Sequence, residues 1–168
     1  PLNGMGLQTE MTNNQERTQL TETALAGGWW IVIGAALCMA LLLGLTPEGS
    51  LREELGYGLR VSARLAFAAL LIAYIARPWR QLTGGGRWLL RHRRYFGLAA
   101  ALTHTVHFGY IVALFVLTDE VLEVTTAIFG GLAYVLIWIM ALTSNRASQR
   151  RLGANWARLH RFAMHYLW

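Results

Sequence analysis

The sequence has no lysine, a single cysteine (Cys38) and a single aspartate (Asp119), and only 14% of its 168 residues are charged. A soluble domain carries about 25% charged residues, so the low charge argues against a soluble fold. One cysteine excludes both a disulfide framework and a multi-cysteine metal site within the chain. The cellular compartment must therefore be inferred from the charge pattern.

Apolar residues are what the sequence has in quantity: they make up 55% of the chain, and the mean hydropathy is +0.36. A membrane-crossing helix needs about 20 mostly apolar residues. The pattern predicts an all-α, polytopic membrane helix bundle with four complete transmembrane helices and the start of a fifth. The predicted spans are Ala24 to Leu45, Leu55 to Ala76, Tyr95 to Leu117 and Val124 to Thr143, followed by the short stretch Leu159 to Trp168. Because that last stretch is too short to cross a bilayer, we expect the fifth helix to continue beyond the sequence.

The chain divides at residue 23 into a polar tail and the predicted bundle. Residues 1–23 contain Glu10, Glu16, Arg17 and Glu22, and they lack the basic start and short apolar stretch of a signal peptide. We expect these residues to form a cytoplasmic tail. Residues 24–168 form the predicted transmembrane bundle.

Because the sequence has no lysine, its permanent positive charges are all arginines. Most of these arginines lie in the segments 77–94 and 146–161, which contain no acidic residue. Acidic residues are concentrated instead in segments 46–54 and 118–123. Basic residues are enriched in cytoplasmic loops, so this alternation places both basic segments and the amino terminus on the cytoplasmic side of the membrane. The position of the basic clusters beside apolar helices favours membrane lipid over nucleic acid as the contacting partner.

Two histidines lie within the third predicted span. His104 and His107 are three residues apart, so they project from nearly the same helix face. Ionisable side chains within a bilayer are costly and are functional candidates. Imidazole is a usual axial ligand of haem in helix bundles, where facing helices supply the two ligands. The alternative is a pair of neutral histidines hydrogen-bonded to a neighbouring helix.

Three further side chains are candidate site residues. His160 and His165 lie at the start of the fifth apolar stretch, where each is a candidate metal ligand; for His160, a solvated surface position is an equal alternative. Arg64 lies in the second span, where a guanidinium suits a haem propionate. Its alternative is snorkelling toward the surface. His92 lies in the first basic segment, which we expect to form a surface loop.

Several motifs resemble those of the ferric reductase-like transmembrane domain family. The stretch Arg93-Arg94-Tyr95-Phe96-Gly97-Leu98, followed by His107 and Tyr110, resembles the family pattern RRxxGL…H…Y. Two shorter stretches also fit, Arg77-Pro78-Trp79-Arg80 and Leu159-His160-Arg161. Within the family the likeness is greatest to haem-binding membrane subunits of bacterial methionine sulfoxide reductase systems, and it covers residues 55–165.

The resemblance implies a b-type cytochrome that holds one or two haems and passes electrons across the membrane. His107 matches the family's third-helix haem ligand, and His160 matches the first histidine of its fifth helix. The second fifth-helix histidine of the family falls past the end of this sequence. His104 and His165 have no counterpart in the pattern. A quinone or flavin is expected only through a partner.

Two functions follow from these observations. The first is an electron-transfer subunit, not a complete enzyme, that relays electrons from a cytoplasmic flavoprotein or quinol to an outward acceptor through redox partner proteins or a larger membrane complex. The second is a non-catalytic structural or assembly subunit of a redox or photosynthetic complex. A transporter has less support, because the spans have no internal symmetry.

Overall fold

The computed structural model describes residues 27–167, and every regular element within that range is helical. The helices are α1 Gly27–Leu43, α2 Leu51–Thr83, α3 Arg87–Leu117, α4 Val124–Leu142, α5 Arg146–Leu152 and α6 Ala154–Leu167. The predicted tail, residues 1–23, lies outside the described residues, as do residues 24–26 and Trp168.

Three of these helices, α2, α3 and α4, are long and apolar enough to cross a membrane. They correspond to the second, third and fourth predicted spans and agree with the prediction of an all-α membrane bundle. The described part of α1 is shorter, about 26 Å at the rise of an α-helix, so the predicted count of four complete spans is not confirmed. The described part of the fifth apolar stretch, residues 159–167, is helical and belongs to α6.

The first basic segment is not the surface loop that we expected. Helix α2 continues to Thr83 and α3 begins at Arg87, so only residues 84–86 separate them. Gly84 and Gly86 adopt positive φ angles of 68° and 72°, which glycine tolerates because it has no Cβ. Arginine has a high helix propensity, so the arginine-rich segments continue the two helices instead of ending them.

His92 is also placed differently from our expectation. Its side chain is buried, with 9% of its surface exposed, and its Nδ1 lies 2.8 Å from the Trp88 carbonyl oxygen. A ring nitrogen that faces a carbonyl must donate, so Nδ1 carries the proton. The indole of Trp30 on α1 packs 6.4 Å from the His92 ring, between centroids. The surface prediction was wrong because the segment is helical and α1 covers it.

The acidic segments meet at one end of the bundle. Helix α2 begins in a capping box, in which the Glu53 carboxylate accepts the Ser50 N–H at 2.9 Å and the Ser50 side chain accepts from the Glu53 N–H. Arg52, in the first turn of α2, forms an ion pair with Glu120 in the connection between α3 and α4. We call this the acidic end, and the opposite end, which carries the arginines, the basic end.

The main helix contact joins α2 to α3. Small residues recur every four positions on the buried face of α2, at Gly58, Ser62 and Ala66, and such spacing lets helix backbones approach closely. A Cβ built on Gly58 would lie 2.2 Å from the Tyr110 ring of α3. The close approach places the buried face of α2 directly beside the histidines of α3.

Helices α1 and α4 pack against the α2–α3 pair. The Tyr57 hydroxyl of α2 donates to the Leu42 carbonyl of α1 at 3.0 Å. The Trp138 indole N–H of α4 donates to Thr105 Oγ1 of α3 at 3.1 Å. Helix α6 lies against α4, where the Tyr166 hydroxyl donates to the Phe129 carbonyl at 3.1 Å. The functional candidates of α3 are therefore flanked by α2 on one side and α4 on the other.

Candidate functional site

A layer of polar side chains crosses the bundle between its two ends. It consists of Ser62 on α2, His104 and His107 on α3, and Tyr134 on α4, and we call it the histidine layer. The ring centroids of His104 and His107 lie 5.5 Å apart, and those of His104 and Tyr134 lie 6.0 Å apart. Ser62 is fully buried and the two histidines are half-buried. The two histidines predicted as ligands are thus brought together and held between two neighbouring helices.

The bond between Ser62 and His107 determines which nitrogen of the imidazole is free to bind a metal. Ser62 Oγ lies 3.1 Å from His107 Nδ1 and only 2.6 Å from the Gly58 carbonyl oxygen. The hydroxyl has one proton, and the shorter bond to the carbonyl takes it. The oxygen must therefore accept from the Nδ1–H of His107, and the lone pair of this imidazole lies on Nε2.

This arrangement matches what a metal-binding histidine requires. A ligating histidine almost always donates its other ring N–H to an oxygen, which fixes the tautomer and the ring orientation. Ser62 provides that oxygen for His107. Within residues 27–167 there is no group of three or more His, Cys, Asp or Glu side chains that could hold a bare metal ion. The donor set suits a metal that brings its own equatorial ligands, as haem does.

A second candidate region is a cavity of about 560 Å³ at the basic end, which we call the basic cavity. It lies between the basic-end halves of α2 and α3, the end of α4, and α5 and α6. Its basic lining residues are Arg77, Arg91, Arg93, Arg94, Arg161, His160 and His165. In the described part of the chain, none of the lining residues is acidic. The cavity therefore concentrates positive charge that no carboxylate of its own wall balances.

One of these arginines is incompletely satisfied. Arg94 Nε is buried and has no hydrogen-bond partner among residues 27–167. A buried polar atom without a partner costs about 1–3 kcal/mol, and more when the group is charged. Arg94 therefore has a buried, unpartnered Nε while its residue lines the wall of the basic cavity.

His160 is held at the edge of the basic cavity by a bond of the same kind as that of His107, but through the other nitrogen. Thr143 Oγ1 lies 2.6 Å from the Ile139 carbonyl oxygen and 3.0 Å from His160 Nε2. The hydroxyl proton goes to the carbonyl, so Nε2–H of His160 donates and its lone pair lies on Nδ1. The ring also stacks on Trp156, with centroids 4.1 Å apart. Partial burial, with a smaller effect from the charge of Arg93, lowers the pKa of His160, which keeps the imidazole neutral.

The two regions lie at different depths. His160 contacts Thr143 of α4 at 3.0 Å, whereas His104 packs against Tyr134, nine positions earlier on the same helix. That separation corresponds to about 14 Å along a helix, and His107 lies one turn further from the basic end than His104. His107 and His160 therefore cannot ligate opposite faces of one haem. His104 cannot take the opposite face either, because it lies on the same side of the same helix.

The remaining predicted residues are placed as follows. His165 is exposed and lines the basic cavity. Arg64 is exposed on α2 and is not among the arginines that line the basic cavity. Sequence reasoning missed Ser62 and Thr143, the hydroxyl partners of His107 and His160. The spacing of Gly58 and Ser62, two small residues four positions apart, was a signal that could have indicated the close contact of α2 with α3.

Comparison with known proteins supports the resemblance seen in the motifs. No family model and no solved structure matches the chain. Among 84 curated proteins with significant similarity is the protein-methionine-sulfoxide reductase heme-binding subunit MsrQ of Xanthomonas axonopodis pv. citri (strain 306). The two are 36% identical over 101 residues, which are 56% of this chain and 46% of that protein, so the chain spans about half the length of this relative. The chain is therefore similar to the haem-binding subunits of methionine sulfoxide reductase systems, as its motifs predicted.

Proposed function

We propose that the protein is a haem-binding membrane subunit that relays electrons in a methionine sulfoxide reductase-type system. The observation that carries this proposal is the bond between Ser62 and His107, which leaves Nε2 of a span histidine as the ligating atom. The similarity to a heme-binding subunit supports the same cofactor. We take the haem to be b-type, because histidine ligands in a membrane helix bundle and the resemblance to the ferric reductase-like family both imply it.

In this proposal His107 would hold the haem iron, and a further ligand would come from another helix. The family pattern assigns that role to the fifth helix. His104 is a neighbour of the haem that packs against Tyr134. When bound, haem iron supplies the chemistry by accepting and releasing one electron at a time. His160 and His165 remain candidates for a second haem at the basic cavity, and Arg64 remains a candidate partner of a propionate.

The residues of this chain have two tasks in such a relay. Ser62 holds the imidazole of His107 in one tautomer and one orientation, and the neighbouring helices keep water away from the half-buried rings. The apolar helices α2, α3 and α4 carry the layer across the bilayer. We propose that α1 is a fourth span, that the basic end and the amino terminus face the cytoplasm of a bacterial inner membrane, and that redox partners supply electrons there.

A difference spectrum of the purified protein tests this function. The full chain is prepared in detergent, and the dithionite-reduced minus oxidised spectrum is recorded for wild type and for the His107→Ala variant. We expect a b-type α-band in the wild type that is lost or strongly weakened in the variant. The control is His92→Phe, which removes another buried histidine from α3 but keeps an aromatic ring at the contact with Trp30 and Trp88.

The same experiment separates the competing function. A structural subunit without a cofactor would give no α-band in wild type, although it would purify as a folded membrane protein. An equal loss of haem in His92→Phe and His107→Ala would contradict His107 as the ligand, because it would show only that α3 tolerates no substitution.

A further inference from the structure

The basic cavity has properties of a binding site that is separate from the histidine layer. Its charge comes from five arginines, and within residues 27–167 no Asp or Glu lines it. None of the four residues of the histidine layer lines it either. From this cavity we propose that the protein binds the phosphate of an anionic phospholipid at its basic end.

The arginines of α3 are the centre of the proposed site. Arg93 and Arg94 are half-buried in the cavity wall, and Arg94 Nε is a buried donor with no partner in the described chain. A phosphate oxygen is an acceptor that a guanidinium binds through two parallel N–H groups. A lipid phosphodiester carries one negative charge, so seated between the two residues it would accept from guanidinium N–H groups and balance one of their two charges.

The position of these residues matches the headgroup level of a bilayer. Arg94 lies about 10 Å along α3 from the start of that helix at the basic end. Arg77 approaches from α2 and Arg161 from α6, and both are exposed while they line the cavity. The site is thus open to the surface at the depth where lipid phosphates lie, and basic pockets between transmembrane helices are known to bind anionic lipid headgroups.

The rest of the cavity wall suits the apolar part of a lipid. Ile137 and Met140 of α4 also line the cavity, as do Leu70 and Ala73 of α2, which lie 10 or more residues from the basic end of their helix. An amphiphile with an anionic head and an acyl chain would match both surfaces, whereas a free phosphate would match only the arginines. His160 does not compete for this ligand, because its ring is held by Thr143 and Trp156.

Lipid titration with matched charge variants tests the proposal. The full chain is purified in a neutral detergent, stripped of lipid, and titrated separately with phosphatidylglycerol and with phosphatidylcholine while the thermal unfolding temperature is followed. We expect phosphatidylglycerol to bind about tenfold more tightly or better, since each arginine near an anionic headgroup contributes measurably. The double variant Arg93→Gln/Arg94→Gln should lose this preference.

The control is the double variant Arg150→Gln/Arg151→Gln, which removes the same charge from exposed positions on α5 outside the cavity. It should keep the preference, and an equal loss in the control would overturn the site in favour of diffuse attraction. If the first variant does not fold, Arg91→Gln, at an exposed residue of the cavity, replaces it and should weaken phosphatidylglycerol binding while the control does not.

Two further arms identify the source of the anion. Inorganic phosphate in large excess should not displace phosphatidylglycerol, and displacement would overturn the lipid in favour of a soluble anion. Haem content should be the same in wild type and in Arg93→Gln/Arg94→Gln. A loss of haem with lipid preference intact would overturn the proposal and assign the arginines to a haem propionate. Because haem and lipid are measured separately, failure of this proposal does not affect the proposed function.

Discussion

The histidine layer and the basic cavity each contain an imidazole that is hydrogen-bonded to a hydroxyl, but the two bonds leave different ring nitrogens free. In each, a hydroxyl donates its proton to the carbonyl four residues back on its own helix and accepts a hydrogen bond from an imidazole. Ser62 engages Nδ1 of His107, whereas Thr143 engages Nε2 of His160. The free lone pair is on Nε2 in the first case and on Nδ1 in the second.

This difference decides which histidine is the better haem ligand. Nε2 lies at the far tip of the ring, where a flat macrocycle can approach it. Nδ1 lies beside the Cβ of its own residue, so the helix backbone crowds a macrocycle bound there. The surroundings differ in the same sense, because the histidine layer contains no arginine while the basic cavity is lined by five. The histidine layer therefore provides a neutral imidazole as a ligand for haem iron, whereas the basic cavity is suited to bind an anion.

The strongest disturbance of the layer alone should come from Gly58→Ala. Its new Cβ would meet the Tyr110 ring at 2.2 Å, and such overpacking costs about 1–3 kcal/mol or more. We expect lower thermal stability and weaker haem retention, because Ser62 lies one turn away on the same face. The control is Gly109→Ala on α3, where a Cβ would have no neighbour within 4 Å. Equal effects of both substitutions would contradict close α2–α3 packing as the basis of the layer.

Removing the hydroxyl from the layer should give the next largest effect. Ser62→Ala removes the side-chain acceptor of the His107 Nδ1–H and leaves the Leu59 backbone carbonyl as the other hydrogen-bond partner of this imidazole. Loss of an orienting partner costs about 10–100-fold in affinity for the metal group. Haem retention measured against a competing apoprotein should fall by that factor, and the reduction potential should shift. Ser62→Thr keeps the hydroxyl but adds a methyl group at a fully buried position, so it should recover only part of the affinity. If Ser62→Ala retained haem as wild type does, Ser62 would have no orienting role.

The matching change in the basic cavity should have a small effect. Thr143→Val removes the acceptor of His160 Nε2 and should destabilise the packing of α6 on α4 by about 1 kcal/mol. Trp156 still donates to the Thr143 backbone carbonyl, at 2.8 Å in the structure, so the contact is weakened and not lost. Thermal unfolding should register the change while the haem spectrum stays the same. A spectral change as large as that of Ser62→Ala would place haem at the cavity and remove the distinction between the regions.

The sequence predicted the helices better than their ends. The span predicted for α4 differs from the structure by one residue, and that for α3 ends at Leu117 as predicted. Helix α2 extends past both predicted ends, because apolar content alone does not reveal that arginine-rich segments stay helical. His92 was misplaced for the same reason.

The site could be predicted from the sequence only where its residues lie on the same helix. The spacing of His104 and His107 indicated one shared face, and the structure places them together. The partners could not be predicted in this way, since Ser62 lies 45 residues from His107 in the sequence and meets it only through helix packing. The basic cavity likewise combines arginines from α2, α3 and α6 that are far apart along the chain.

The most direct test of the central claim is haem stoichiometry in two single variants, His107→Ala and His160→Ala, purified side by side in detergent. Haem per protein is measured by pyridine haemochromogen absorbance, and folding is checked by elution on size exclusion. We predict that His107→Ala loses its haem and that His160→Ala keeps the haem bound at the histidine layer. Retention in His107→Ala together with complete loss in His160→Ala would contradict the account.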